Sequence, residues 1–319
     1  MNRRFALIQA LVSLIALAAV IWWATKQEPP EFPSGGESIA WLAAAVVIYA
    51  FATLLRGERW HHILRLTHVD AQRSDCYALT TVGYMGNNVL PARAGEILRV
   101  VLLAGRCGAS KRTLLGSIVA ERLLDVIALA SIFVVVVYGV LSSTVLPTDR
   151  PLLFGGLILL GLLLVCVALY MLRRHHVFER ARTWLRPLAD APRALVCRQG
   201  LVLVAGTFVL WAFEAAVYLS VARAVDLNIS GMGALYLVAL TNFFAALPAA
   251  PGSIGTFDAA VIFGSKAIGA SGSAALSYLL TLRFVLYVPI TAVGFVVLVT
   301  RYGGWSRLRA AVRFEASRA

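Results

Sequence analysis

The hydrophobic pattern divides the chain into long apolar runs separated by short polar loops. A run of about 18 apolar residues is long enough to cross a bilayer as a helix. Six runs have roughly that length or more: Phe5–Trp23, Ile39–Leu55, Leu114–Leu141, Pro151–Leu172, Gly200–Ala222 and Ala274–Thr300. Two further stretches, Cys76–Ala104 and Met232–Ile268, are apolar but are interrupted by proline, glycine and asparagine. The pattern predicts an all-α polytopic membrane protein with about six full spans and two re-entrant, broken helical segments.

The composition excludes most soluble proteins. Of the 319 residues, 60% are hydrophobic and 14% are charged, whereas soluble chains have about 45–50% and about 25%. The net charge is nevertheless +13. Most of the cations lie in loops between apolar runs, unlike the solvated basic surface of a nucleic-acid-binding protein. We therefore expect membrane lipid, and no nucleic acid, as the partner of this chain.

The distribution of Lys and Arg predicts the topology, because cytoplasmic loops collect these residues. If both broken segments return to the side from which they start, 21 of the 29 cations lie on one side and four on the other. The richer side comprises the N-terminus, loops 56–75, 105–113 and 173–199, and the tail 301–319. This predicts one integral domain, 1–319, in the inner membrane, with both termini and a basic tail in the cytoplasm.

The two broken segments share a motif that indicates an internal repeat. Residues 90–97 read LPARAGEI and residues 247–254 read LPAAPGSI, at an offset of 157. The flanking spans follow the same offset, so 39–141 and 200–300 form two repeats that are inverted in the predicted topology. Such repeats, with broken helices near mid-membrane, are typical of secondary transporters. The candidate hinge residues are Pro91, Gly95, Pro248, Pro251, Gly252 and Gly255. The alternative is that the prolines only kink packed helices.

Polar side chains within the apolar segments are the candidate site. They are Asn87, Asn88, Arg93, Glu96, Arg99, Glu121, Arg122, Asp125, Glu214, Asn242, Asp258 and Arg283. Each charge costs about 2.5–3.5 kcal/mol or more at the bilayer centre, so we expect these groups to face one another or water. Glu121 and Asp125 share one helical face. We expect them either to bind a proton or to hold an arginine, with Arg93 and Arg283 as candidates.

Two interpretations of these charges remain open. They form either structural ion pairs or an aqueous cavity whose arginines bind phosphate, helped by the positive ends of half-helices. The second interpretation predicts a substrate-binding set of Asn87, Asn88, Arg93, Glu96, Arg99, Glu121, Arg122, Asp125, Asp258 and Arg283. We expect no catalytic residue, no cofactor and no metal, since the Cys and His residues lack metal-ligand spacing.

Three runs carry a family resemblance: GNNVLPARAGEILR (86–99), ERLLD (121–125) and PGSIGTFD (251–258). They resemble the flippase-like transmembrane domain of lysylphosphatidylglycerol synthases, over roughly residues 5–300. Ser253 and Asp258 stand where that family usually has Gly and Glu. The resemblance implies movement of a lipid between leaflets, or a related step with lipid-linked sugars or hopanoids. Because only a short tail follows the last predicted span, the lysine-transferring activity of the synthases is not expected.

Three functions follow from the sequence. The leading hypothesis is a non-enzymatic flippase for a lipid or lipid-linked headgroup, with the phosphate held by arginine. The second is a membrane-embedded enzyme or accessory subunit that acts on lipid-linked glycan, hopanoid or phospholipid. The third is a scaffold that uses loop 173–199 and the tail. A homo-oligomer, or a partner from lipid biosynthesis, is compatible with each.

Overall fold

The computed structural model describes residues 14–15, 17–30, 32–90, 93–139, 190–246 and 251–303. The regular secondary structure in these ranges is helical. The main helices are α1 (Gly36–Leu66), α2 (Arg73–Val89), α3 (Gly95–Cys107), α4 (Lys111–Gly139), α5 (Arg198–Ala224), α6 (Gly231–Ala245), α7 (Thr256–Ala267) and α8 (Gly272–Tyr302). Among the described helices, α1, α5 and α8 are long and apolar enough to cross a bilayer. The predicted all-α membrane protein is confirmed.

Several predicted features lie outside the described residues. They are the span Pro151–Leu172, the hinge candidates Pro91 and Pro248, residues 5–13 and 16 of the first span, residues 173–189 of the loop 173–199, and the tail from residue 304. The number of crossings and the side on which each terminus lies stay predictions.

The described helices fall into two groups with the same order. Each group has a long helix, a pair of shorter helices separated by a break, and a second long helix: α1 to α4, then α5 to α8. The groups also exchange contacts. Helix α1 packs on α5, α2 of the first pair packs on α8, and α6 of the second pair packs on α4. This reciprocal packing is what two repeats related by a two-fold axis would give, and the inverted relation itself stays a prediction.

The first break separates α2 from α3. Leu90 is extended, with φ −97° and ψ 147°, as expected for a residue that precedes a proline. Arg93 then takes a left-handed conformation with φ +53°, and α3 begins two residues later. The reversal brings α2 and α3 into contact and directs the first turn of α3 towards the interior.

Glycine permits the close contact between α2 and α3. A Cβ atom added to Gly95 would lie 2.0 Å from the carbonyl oxygen of Gly83 and 2.5 Å from the backbone nitrogen of Asn87. The two helices therefore touch backbone to backbone at this point, and a side chain at residue 95 would separate them.

The second break, between α6 and α7, is also built on glycine. Gly252 and Gly255 both have positive φ, +65° and +89°, a conformation that glycine adopts without strain. A short 3₁₀ turn, Pro251–Ser253, leads into α7. The Asp258 carboxylate accepts a hydrogen bond of 2.8 Å from the Gly255 backbone N–H. This contact caps the first turn of α7 in the way an acidic residue at the third helical position does.

We predict that Gly95→Ala destabilises the protein by about 1–3 kcal/mol, because the added methyl group collides with backbone atoms that cannot move independently. Gly105→Ala is the matched control in the same helix, since nothing lies within 4 Å of a Cβ atom added there. The free energy of unfolding in detergent, measured by denaturant titration, checks both variants. Equal stabilities of the two would contradict the close packing of α2 on α3.

Candidate functional site

A polar cavity lies between the first broken segment and helices α1 and α4. It measures roughly 340 Å³ including its open mouth. The space in it that water can occupy is about 20 Å³, enough for about one water molecule. The lining residues are Arg56, Arg59, Thr80, Gly83, Tyr84, Asn87, Arg93, Glu96, Arg99, Glu121 and Arg122. Five arginines and two glutamates line the cavity. Asp125 and Glu214, which pair with Arg59 and Arg56 from behind the lining, bring the balance to five arginines against four carboxylates, an excess of one positive charge.

The floor of the cavity is its buried side, formed by Arg56, Arg59, Arg99 and Glu121. Arg59 of α1 is the central cation of this floor. Its Nη1 and Nη2 donate to the two oxygens of Asp125, at 2.7 and 3.3 Å. Nη1 also donates to Thr207 Oγ1 at 3.2 Å, and Nη2 lies 3.8 Å from Glu121 Oε1. Because these partners belong to α4 and α5, one guanidinium group connects three helices.

Arg99 of α3 neutralises the other side of Glu121. Its Nη2 donates to Glu121 Oε2, and its guanidinium group lies 4.5 Å from the centre of the Trp60 ring. The Trp60 indole in turn donates to Ser117 Oγ at 2.9 Å. Glu121 therefore lies between two arginines, which removes the repulsion between the stacked carboxylates of α4.

Arg56 forms a second pair on the same face of α1. Its Nη2 lies 2.7 Å from Glu214 Oε2 of α5. The guanidinium carbon is 5.4 Å from the Tyr84 ring centre and 5.8 Å from the Trp211 ring centre. Arginine over an aromatic face gains electrostatic attraction, so this pair is fixed from several sides.

At the mouth of the cavity, formed by Arg93, Glu96 and Arg122, the distances between opposite charges are longer. Arg93 Nη2 lies 3.5 Å from Glu96 Oε1, and Arg122 Nε lies 3.8 Å from the same oxygen. Arg122 Nη2 also reaches Asp125 Oδ2 at 3.3 Å. The side chains of Arg93 and Arg122 are 40% and 39% exposed, in contrast to the buried arginines of the floor.

Unpartnered polar atoms concentrate at this cavity. In the described residues, nine buried side-chain nitrogen or oxygen atoms lack a hydrogen-bond partner, and seven belong to the lining. These seven are Arg56 Nη1, Arg59 Nε, Thr80 Oγ1, Asn87 Oδ1, Glu96 Oε1, Arg99 Nε and Arg122 Nε. Buried polar atoms are normally satisfied, so their concentration here indicates a place for water or a polar ligand.

Most of the predicted set meets at the cavity, and part of it does not. Six of the predicted residues line the cavity, and Asp125 lies directly behind it: Asn87, Arg93, Glu96, Arg99, Glu121 and Arg122. Asn88 instead donates to Thr291 Oγ1 at 2.9 Å. Arg283 binds Asp258, with Nε 2.5 Å from Oδ1, and donates to the Gly252 carbonyl at 2.9 Å. These bonds connect α8 to α7 and to the backbone of the second break.

The expected arginine between Glu121 and Asp125 is present, but both proposed candidates were wrong. The residue is Arg59. The sequence predicts it, together with Arg56, in the cytoplasmic loop 56–75, because the apolar run ends at Leu55. Helix α1 continues to Leu66, and both arginines are buried. A signal was available in the buried positions of α1, whose spacing of three and four continues through the charged residues: Ala45, Tyr49, Ala52, Arg56, Arg59 and Ile63.

In the described part of the chain, no group of three His, Cys, Asp or Glu side chains is placed to hold a metal ion.

Comparison with known families agrees with this geometry. The sequence profile of the lysylphosphatidylglycerol synthase transmembrane region matches residues 7–294. The chain belongs to this family. The matched range includes every residue that lines the cavity.

Similar curated proteins come from archaea. A UPF0104 membrane protein of Methanothermobacter thermautotrophicus is 24% identical over 318 residues, covering 89% of this chain and 92% of the relative. A second UPF0104 membrane protein, from Methanocaldococcus jannaschii, is 20% identical over 65% of this chain and 90% of its own length. The glycosyltransferase AglD of Haloferax volcanii is 29% identical over 145 residues, which is 44% of this chain but only 23% of AglD.

We predict that Arg56→Met destabilises the protein by about 3–5 kcal/mol, because it leaves the buried Glu214 carboxylate unpaired. The double variant Arg56→Met/Glu214→Leu should recover most of that loss, since it removes both charges. Free energies of unfolding of the wild type, both single variants and the double variant complete a double-mutant cycle. Losses that simply add would show that the pair is not coupled.

Proposed function

We propose that this protein moves a phosphate-bearing lipid headgroup between the leaflets of the cytoplasmic membrane. The observation that supports this most strongly is the cavity, in which an excess of arginine coincides with buried N–H groups that have no acceptor. Three of these donors, Arg56 Nη1, Arg59 Nε and Arg99 Nε, lie on the buried side. Phosphate oxygens match the fork of N–H donors that arginine presents, as carboxylate oxygens do.

The surroundings of the mouth favour a lipid over a soluble solute. Val119 and Val126 lie one turn before and one turn after Arg122 on α4, and they are 47% and 44% exposed. Ile97, next to Glu96, is 58% exposed. In a membrane protein, exposed apolar side chains face acyl chains. A headgroup could therefore reach Arg122 from the side while its tails stay in the hydrocarbon.

The narrow cavity implies that movement accompanies transport. Room for about one water molecule does not admit a phosphate with its ester groups, so the helices around the mouth must separate. Contacts between the two helix groups are suited to change in that step. Arg93 donates to the Ala245 carbonyl at 3.4 Å, across to the second broken segment. Rocking of one repeat against the other would break this contact and open the mouth.

A second function is favoured by the relationship to AglD. That protein is described as a glycosyltransferase, and 145 residues of this chain match part of it. The alternative proposal is that the chain serves a transfer reaction on a lipid-linked glycan, as an enzyme or an accessory subunit. Product formation by the purified protein with lipid-linked sugar donors would support this alternative over transport.

We predict that Arg122→Gln lowers the rate of transbilayer movement at least about tenfold, since a charged hydrogen bond to phosphate contributes about 1.5–3 kcal/mol. The measurement uses the full chain in liposomes with fluorescent phospholipids and prenyl phosphates, and quenching of the outer leaflet. Arg106→Gln is the matched control. Arg106 is also 40% exposed and also lies 3.3 Å from an aspartate, Asp75, but it is outside the cavity.

Equal rates for Arg122→Gln and Arg106→Gln would contradict a role of the cavity in transport. Absence of movement for every lipid in the panel with the wild-type protein would contradict the function itself.

A further inference from the structure

Glu96 occupies a particular place at the mouth of the cavity. Its Oε1 atom lies between one arginine of the first break and one of α4, 3.5 Å from Arg93 Nη2 and 3.8 Å from Arg122 Nε. Both distances exceed those of a good N–H···O bond, about 2.7–3.2 Å. The same oxygen is buried and has no hydrogen-bond partner. Glu96 therefore neutralises two guanidinium groups without binding either one closely.

The contrast with the cavity floor shows that this looseness is local. Arg56 and Arg59 reach their carboxylates at 2.7 Å. Glu96 is 21% exposed, whereas the carboxylates of the floor are buried. Glu96 lies in the first turn of α3, whose start is fixed by the backbone contact of Gly95. In this position its Oε1 atom is separated from both guanidinium groups by more than a good hydrogen-bond distance.

A phosphate group fits this separation better than a carboxylate oxygen does. Its oxygens point in several directions, so different oxygens can accept from Arg93 and Arg122 at hydrogen-bond distance. Arg122 Nε is buried and has no hydrogen-bond partner, and the side chain of Arg93 is 40% exposed. The excess of one arginine over the carboxylates around the cavity favours an additional negative charge.

We propose that Glu96 is a tethered substitute for the ligand: it occupies the phosphate position between Arg93 and Arg122, and an incoming phosphate headgroup displaces it. This inference rests on the proposed function and specifies how the site binds and releases its substrate. Displacement weakens binding, because the apparent affinity is reduced by the fraction of molecules whose site is free. Weak binding suits a transporter, since a headgroup that binds too tightly is not released on the other side. After release, the Glu96 carboxylate returns between the arginines and prevents a bare cationic pair from facing lipid.

The test is equilibrium binding, which does not depend on transport. The full chain in phosphatidylcholine nanodiscs is titrated with dodecyl phosphate and, separately, with inorganic phosphate. We expect Glu96→Gln to bind dodecyl phosphate about three- to tenfold more tightly than the wild type, because the competitor has lost its charge. Glu96→Ala, which also removes the competing group, should shift in the same direction. Arg122→Gln should bind about tenfold more weakly.

Glu58→Gln is the matched acidic control. Glu58 is 27% exposed and lies near two cations, 3.3 Å from Arg73 and 3.2 Å from His62, but it does not line the cavity. Its affinity for dodecyl phosphate should stay within about twofold of the wild-type value. Thermal unfolding of each variant verifies that it is folded.

The outcomes separate the two proposals and the two sources of phosphate. Unchanged or weaker binding of dodecyl phosphate by both Glu96 variants would overturn the substitute role, even if liposomes show transport. Tighter binding with no transport by the wild type would support the substitute role and reject the proposed function. A tightening that appears with inorganic phosphate as strongly as with dodecyl phosphate identifies a free anion as the ligand. A tightening confined to dodecyl phosphate identifies a lipid.

Discussion

The pairing of charges away from water is the constraint on which the rest of this structure depends. An unpaired charge within a membrane protein costs several kcal/mol, so each buried carboxylate needs a cation from a neighbouring helix. Arg59 meets this need for Asp125 and partly for Glu121. Arg56 meets it for Glu214. Since the two arginines lie one turn apart on α1, the position of this helix against α4 and α5 follows from their pairing, and a cavity remains where α2 and α3 complete the wall.

The closeness of ion pairing changes across that cavity. On the floor, a bond of 2.7 Å joins Arg56 to Glu214 of the other half of the chain, and another of 2.7 Å joins Arg59 to Asp125 within the first half. At the mouth, Glu96 is 3.5 Å or more from its cations. Hydrogen bonding weakens steeply beyond about 3.2 Å, so the floor acts as a framework, while the groups at the mouth can exchange partners. The glycine contact between α2 and α3 supports this division, because it fixes the backbone at Gly95 but leaves the Arg93 and Glu96 side chains partly exposed.

The sequence alone predicts the helical segments well, because membrane helices follow from long apolar runs. It also predicts most of the cavity lining, since a charge in an apolar segment is rare and must be paired. What it does not predict is where a helix continues beyond its apolar run. The sequence predicts Arg56 and Arg59 at the start of a loop. Both lie on the buried face of α1, where the spacing of buried positions by three and four residues continues. The partners were also beyond prediction. Asp258 and Arg283 have the same chemistry as the cavity residues, yet they bind each other. The positions of charges along the sequence do not specify which helix faces come into contact.

The two predicted repeats share a backbone plan but not a polar site. At the offset of 157, Glu121, Arg122 and Asp125 of the first half correspond to Tyr278, Leu279 and Leu282 of the second. Tyr278 is buried and donates to the Tyr218 carbonyl at 3.2 Å, and the two leucines belong to the large apolar core of α4 to α8. The ion pair of the second half, Arg283 with Asp258, lies at the second break and not at these positions. In the proposed mechanism the first half therefore provides the binding groups, and the second provides an apolar surface, the Glu214 partner of Arg56 and the Ala245 carbonyl. If the repeats move against each other, a single site becomes exposed first on one side and then on the other. One such site is sufficient for alternating access to one headgroup.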